Sequence, residues 1–149
     1  MVRVQAMQII DRPPEQVFQY VAAEHFQHHP EWDPNVVELT QTSLGPMGIG
    51  TTARLVRRDQ GKRVEGTVEV VGYEPNQSFA AVARFGPFVL RQRAVFEPMA
   101  EGRTRLTLTI DTEAAGLMHF LLPLFKRTFA RTMAQSLQRI NQALMTLTI

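Results

Sequence analysis

Cysteine is absent from the 149 residues, and tryptophan occurs only once. Without cysteine, the chain has no disulfide framework, no thiolate metal site and no cysteine nucleophile. Long hydrophobic runs are also missing, because the longest nearly apolar stretch, 117–125, has about half the length of a membrane-spanning helix. The 16 basic and 14 acidic residues leave a net charge of only +2. We therefore predict no transmembrane segment and no nucleic-acid partner.

The residues that are present have the balance of an ordinary globular chain, with 44% hydrophobic and 20% charged residues. A chain of this length can bury one sizeable core, so we expect a single domain over 1–149. The first ten residues contain too many polar side chains for a secretory signal, and we expect a cytoplasmic protein. A monomer and a homodimer are both compatible with the sequence.

Hydrophobic periodicity predicts a strand over 2–10 and a short helix over 14–23. The segment HFQHHPEWDPN is rich in His, Pro and Asp, which favours a helical turn or a structured loop. Alternating patterns then predict six more strands, joined by short turns that include Gln60-Gly61. These strands cover 36–42, 51–58, 64–73, 78–85, 88–97 and 103–111. Their short connections favour antiparallel pairing.

The C-terminal part has an apolar stripe at three- and four-residue steps, which predicts one long helix from His119. The stripe consists of Leu122, Phe125, Phe129, Met133, Ser136, Ile140 and Leu144. Only the sheet is large enough to cover it. We predict an α+β fold in which a curved seven-stranded antiparallel sheet wraps around a long C-terminal helix, with short helices after the first strand.

Several segments carry a family resemblance, and they occur in a characteristic order. They are IIDRPPEQVFQYVA, HHPEWDPNVVEL, GPMGIGT, FEPMAEGRTRLTLTI and GLMHFLLPLF with the long last helix. This series resembles the START-like (SRPBCC) superfamily of the polyketide cyclase/dehydrase type, which has the helix-grip fold. The resemblance implies a bacterial-type protein that holds a hydrophobic small molecule of lipid, polyketide or aromatic type between the sheet and the last helix.

Strand alternation indicates which side chains face such a molecule, since charged residues belong on the outer face of the sheet. The predicted ligand-binding residues are Trp32, Phe85, Phe88, Leu90, Gln92, Phe96, Leu108, Phe125 and Phe129. The alternative is that these residues form a filled core. Gln92 lies on an apolar face, and its amide needs a partner, which is a ligand, a backbone group or a buried water.

Few residues are placed for catalysis, because no acid is predicted on an inward face. Our leading prediction is therefore ligand binding without catalysis. The alternative is a cyclase or dehydratase, in which Gln92 and Arg57 polarise a carbonyl group while His28 or His29 moves protons. Two or more titratable groups converging in one pocket would favour the enzyme.

Metal and cofactor motifs are not recognisable in the sequence. His25, His28 and His29 lie close together, but no HExxH pattern or second ligand cluster accompanies them, so we predict no metal site and no cofactor. A third functional class is an interaction module. The last helix carries Lys126, Arg127, Arg131 and Arg139 without an acid, which is compatible with peripheral contact to anionic lipid or to a protein.

Overall fold

Seven strands form one antiparallel sheet in the computed structural model, which describes residues 1–59 and 61–146. They are β1 (Val2–Ile10), β2 (Val36–Gln41), β3 (Thr52–Asp59), β4 (Lys62–Glu74), β5 (Ser78–Phe85), β6 (Phe88–Met99) and β7 (Arg103–Ala114). Their order across the sheet is β1, β7, β6, β5, β4, β3, β2. The first strand thus pairs with the last. Gln60, in the predicted turn before β4, lies outside the described residues.

Helices fill the connection between β1 and β2 and follow β7. The first group is α1 (Pro14–Phe18), a π-helical continuation (Gln19–Ala23) and α2 (His25–Trp32). A 3₁₀ turn (Ala100–Gly102) joins β6 to β7. The C-terminal group is α3 (Leu117–Leu121), a 3₁₀ turn (Leu122–Phe125) and α4 (Lys126–Thr146).

Two helical boundaries differ from the sequence prediction. α2 is a helix of eight residues, although its composition favours a turn or loop. Its ends, His25 and Trp32, are buried, and tertiary packing of this kind overrides weak local propensity. The predicted single C-terminal helix is interrupted before α4, because Pro123 has no N–H to donate within a continuous helix.

The sheet curves around the inner face of α4. Irregular register between Val36 and Glu38 and between Val70 and Gly72 marks bulges, which bend the strands that contain them. Ile140 and Leu144 of α4 are fully buried in the larger of two core clusters. The outer face of α4 is exposed and carries Arg127, Arg131, Gln135, Gln138 and Gln142. The predicted helix-grip fold is confirmed.

Candidate functional site

A cavity of about 720 Å³ lies between the sheet and α4. This volume falls within the range of small-molecule sites, about 300–1,000 Å³. Of the nine predicted ligand-binding residues, the structure places eight along its wall: Trp32, Phe85, Phe88, Leu90, Gln92, Leu108, Phe125 and Phe129. Both the larger and the smaller core cluster border the cavity, so it interrupts the core between them.

Strand register explains how β5 and β6 build the apolar wall. Phe85 pairs with Phe88 and Ala83 pairs with Leu90, so large and small side chains lie opposite one another. The Phe85 and Phe88 rings are 5.7 Å apart between centroids. Because the alanine fills so little space, the sheet leaves room beneath the helix at this point.

Phe96 is the ligand-binding prediction that the structure does not bring to the cavity wall. Its side chain is 2% exposed and packs edge-to-face on Phe18, with 5.2 Å between ring centroids. The inward direction predicted from alternation agrees with this burial. However, α1 covers this end of β6, and its Phe18 ring fills the space that a ligand would need.

Arg57 lies at one end of the cavity between two carboxylates. Its Nη1 donates to Asp33 Oδ2 at 2.9 Å, and its Nε donates to Asp59 Oδ2 at 3.1 Å. The guanidinium carbon is also 5.7 Å from the centre of the Phe85 ring. Asp33 caps the C-terminal end of α2, and the pairing of Val36 with Arg57 holds that end next to β3. The two carboxylates leave Arg57 without a surplus positive charge.

Burial and pairing act in opposite directions on these charged groups. Burial disfavours the ionised Asp33 carboxylate, but contacts with His29 and Arg57 outweigh that effect and hold the pKa of Asp33 below its ordinary value. Burial likewise disfavours the charged Arg57, whereas Asp59 and Asp33 outweigh it and raise the pKa of the guanidinium. At neutral pH both groups are therefore ionised.

His29 projects from α2 towards the same end of the cavity. Its Nε2 lies 3.6 Å from Asp33 Oδ2, which is an ion-pair distance longer than a hydrogen bond. Within the described part of the chain, its buried Nδ1 has no hydrogen-bond partner. An unsatisfied buried nitrogen costs about 1–3 kcal/mol unless a ligand or water pairs with it. His29 is therefore a candidate for hydrogen bonding to a ligand.

His25 and Gln92 form a second polar group on the wall. His25 is 4% exposed, and its Nδ1 is 3.0 Å from the carbonyl oxygen of Val21. A carbonyl only accepts, so Nδ1 carries the proton and Nε2 is left as an acceptor. The Gln92 amide nitrogen, 3.4 Å from this Nε2, donates to it. Gln92 thus finds in His25 a partner that the sequence analysis did not predict.

The charge state of His25 follows from its surroundings. Burial and the neighbouring His29 lower the pKa of His25 to about 3. The ring is consequently neutral at pH 7 and is a weak base. This makes His25 a positioning group for the Gln92 amide, since the neutral tautomer fixes which end of the amide faces the histidine.

His28 points away from the cavity and does not line it. Its Nδ1 lies 2.7 Å from Glu31 Oε2 and its Nε2 lies 3.1 Å from Glu24 Oε1, where the carboxylate oxygens are the acceptors, and its ring stacks on Tyr20. Successive residues on a helix are rotated by about 100°, so His28 and His29 face different sides of α2. The predicted proton-moving role for His28 has no support in this position.

Sequence reasoning missed His25, Asp33 and Asp59 as cavity residues. A signal was present for two of them. Asp59 has the same strand parity as Arg57, and His25 is four residues before His29, which places both on one face if the segment is helical. Among the described residues, no three His, Asp or Glu side chains are arranged to hold a metal ion.

Comparisons with known proteins agree with this architecture. The family model for polyketide cyclase/dehydrase and lipid transport matches residues 1–145. A START superfamily protein from Mycobacterium smegmatis has a TM-score of 0.77 and 18% identity, with 99% of this chain and 100% of that chain covered. No curated protein sequence matches the chain.

Two further solved structures have the same fold. An aromatase/cyclase from a Streptomyces species has a TM-score of 0.76 and 15% identity, with 96% of this chain and 93% of that chain covered. A protein from Thermus thermophilus has a TM-score of 0.69 and 22% identity, with 95% and 98% covered. At these identities the likeness shows a shared helix-grip fold. Because the family model spans nearly the whole sequence, the chain belongs to the polyketide cyclase/dehydrase and lipid transport family.

Proposed function

We propose that the protein binds a hydrophobic small molecule that carries an uncharged polar group. The observation that supports this proposal best is the cavity of about 720 Å³, with aromatic and aliphatic walls and a few polar side chains. Lipid, polyketide and aromatic molecules all have suitable apolar bodies. The apolar wall would select size and shape, while the polar side chains would orient one end.

The charge balance at the polar end argues for an uncharged ligand group. Arg57 is already bound by Asp33 and Asp59, so a ligand carboxylate beside its guanidinium would meet two negative charges, and the other basic residues of the lining, Lys62 and Arg93, are exposed. A ligand hydroxyl can instead donate to the free Nδ1 of His29, and a ligand carbonyl can accept from the Gln92 amide. The proposed ligand therefore has a neutral hydrogen-bonding end.

The first test is native mass spectrometry of freshly purified protein, followed by organic extraction. We expect an adduct that disappears on denaturation and yields a hydrophobic molecule without a charged group. If every extracted or added ligand that binds is a carboxylate, the uncharged-end proposal is wrong.

A pair of variants tests whether the cavity is the binding site. Leu90→Trp places an indole in the cavity, whereas Val89→Trp places the same side chain on the opposite face of β6. With an environment-sensitive apolar fluorophore as the probe, we expect Leu90→Trp to weaken binding about tenfold or more. Val89→Trp should bind the probe as tightly as the unmodified protein does. If both variants bind the probe equally well, the probe does not bind in the cavity.

A second candidate function is cyclase or dehydratase catalysis. The convergence of His29, Asp33 and Arg57 in one cavity favours it, because such chemistry needs titratable groups within reach of a carbonyl. The lowered pKa values of Asp33 and His25 argue against it, since both groups are then weak bases. We expect no dehydration of a soluble β-hydroxyketone. Turnover that Arg57→Met abolishes would instead establish the enzyme.

A further inference from the structure

An apolar patch on α3 and the turn after it faces solvent. It consists of Leu117, Phe120, Leu121 and Leu124, which we call the α3 patch. The relative exposures of these residues are 74%, 75%, 36% and 76%. Single exposed apolar residues are ordinary, but four within eight positions form a contiguous surface that marks an interaction site.

The same segment is also apolar on its inner side. Leu122 is buried in the smaller core cluster, and Met118 and Phe125 line the cavity. α4 contrasts with this segment, because its outer face carries arginine and glutamine. Apart from the exposed His119, this short helical segment is apolar on both sides, and its outer side therefore favours an apolar surrounding as well.

Positive charge follows the α3 patch directly. Lys126, Arg127 and Arg131 are exposed in the first turns of α4. The sequence from 114 to 149 contains no Asp or Glu, and the last acid before it, Glu113, forms an ion pair with Arg91 at 2.9 Å. Arg139 does not belong to this group, because its guanidinium approaches the backbone oxygen of Trp32 at 3.5 Å. The patch is thus apolar in the middle and cationic at one border.

We propose that the α3 patch docks on an anionic phospholipid bilayer. Phe120 and the leucines would enter the boundary between headgroups and acyl chains, and Lys126, Arg127 and Arg131 would bind lipid phosphates. The attachment is peripheral: in the described ranges, 1–59 and 61–146, no helix has both the length and the apolar character that a membrane span requires.

Docking in this way has a consequence that rests on the proposed function. Met118 and Phe125 line the cavity from the same segment that carries the patch. A bilayer against the patch therefore lies next to part of the cavity wall. A hydrophobic ligand that enters the cavity at this part of the wall would come directly from the membrane, which avoids exposing its apolar surface to water.

Vesicle flotation without added ligand tests the docking. We expect the protein to float with vesicles of phosphatidylcholine and phosphatidylglycerol, and to stay behind with phosphatidylcholine alone. Raising the salt concentration from about 0.05 M to about 0.5 M should release most of the protein, because screening removes the attraction to phosphates. If the protein does not float with anionic vesicles at low salt, the proposal is wrong.

Surface variants separate the two contributions. The double variant Phe120→Ser/Leu124→Ser should weaken vesicle binding about tenfold or more. Lys126→Gln and Arg127→Gln should each weaken it about fivefold. The matched control is Leu44→Ser/Ile49→Ser, which removes two exposed apolar side chains from the loop between β2 and β3. Met47 of that loop packs on the larger core cluster, whereas Leu122 belongs to the smaller one.

The control also defines results that overturn the proposal. If Leu44→Ser/Ile49→Ser loses as much binding as the patch variant, the attachment is not through α3. If light scattering shows a dimer that Phe120→Ser dissociates, the patch is covered by a second copy of the chain. Probe binding to the cavity is measured separately, so failure of the docking and failure of the proposed ligand binding give different results.

Discussion

At the scale of single residues, His25 is the cavity group whose pKa is lowered most clearly by burial. The hydrogen bonds of its neutral ring join α2 to β6 through Gln92. A proton on this ring would put a charge in an apolar wall and remove the acceptor that Gln92 uses. The stability of the fold should therefore depend on pH, and His25 should contribute to this dependence above the range in which the carboxylates take up protons.

We predict that the free energy of unfolding decreases as the pH is lowered from about 6.5 to about 3. A histidine in the unfolded chain takes up its proton near pH 6.5, and the folded His25 takes it up near pH 3. Between these values the unfolded state binds one more proton at this residue, so the free energy of unfolding falls by up to about 1.4 kcal/mol per pH unit. Urea unfolding at several pH values measures this slope.

His25→Phe should reduce the slope of the free energy of unfolding against pH. His119 is exposed, and the control variant His119→Gln should leave this slope unchanged. His25→Phe also leaves Gln92 without its partner, so its stability at pH 7 should be lower than that of the unmodified protein. An identical slope in His25→Phe and in the unmodified protein would show that other groups cause the acid sensitivity.

Two arginines of β3 should differ strongly in their contribution to stability. Arg57 and its partner Asp33 are 14% and 12% exposed, whereas Arg54 and its partners Glu38 and Glu65 are 42–54% exposed. Arg57→Met leaves a buried carboxylate without its cation and should cost about 3 kcal/mol. Arg54→Met should cost less than about 1 kcal/mol, because water already solvates its partners.

Thermal unfolding of both variants gives the comparison. Adding Asp33→Asn to Arg57→Met should recover part of the lost stability, since the unpaired negative charge is then removed. Equal melting temperatures for Arg54→Met and Arg57→Met would mean that the buried Arg57–Asp33 pair contributes no more to stability than the exposed ion pairs of Arg54.

At the scale of elements, the contact between β4 and β5 depends on a residue without a side chain. Gly66 pairs directly with Phe85, and a Cβ at this position would overlap the backbone oxygen of Arg84 and lie 2.7 Å from Phe85 Cβ. The missing side chain lets Phe85 take its place on the cavity wall.

We therefore predict that Gly66→Ala destabilises the protein by about 2 kcal/mol, through displacement of β5. Gly48→Ala is the control, because a Cβ there meets no atom within 4 Å. It should change the free energy of unfolding by less than about 0.5 kcal/mol. Chemical denaturation of the two variants provides the measurement, and a neutral Gly66→Ala would show that β4 and β5 adjust at little cost.

At the scale of the whole molecule, the sequence predicts the scaffold better than the site. The seven strands and the inward faces follow from periodicity, which each segment carries within itself. The polar end of the cavity requires α2 and β3 to meet, as Asp33 and Arg57 do across 24 positions. One step along α2 also decides that His29 faces the cavity and His28 does not, and the composition of the segment leaves a helical turn and a structured loop equally open. Contacts of this kind depend on tertiary packing, which a single sequence does not display.

The pairing of β1 with β7 has a consequence for how the protein is made. Val2 lies opposite Thr112, so β1, which leaves the ribosome before the other six strands, has a partner that is translated 110 residues later. At synthesis rates of about 5–20 residues per second, this delay is about 5–20 s. Throughout it, the apolar Val2 and Val4 lack both β7 and α4, the elements that bury them. The order of translation therefore makes β1, the earliest of these seven strands to be synthesised, one of the last to be built into the sheet.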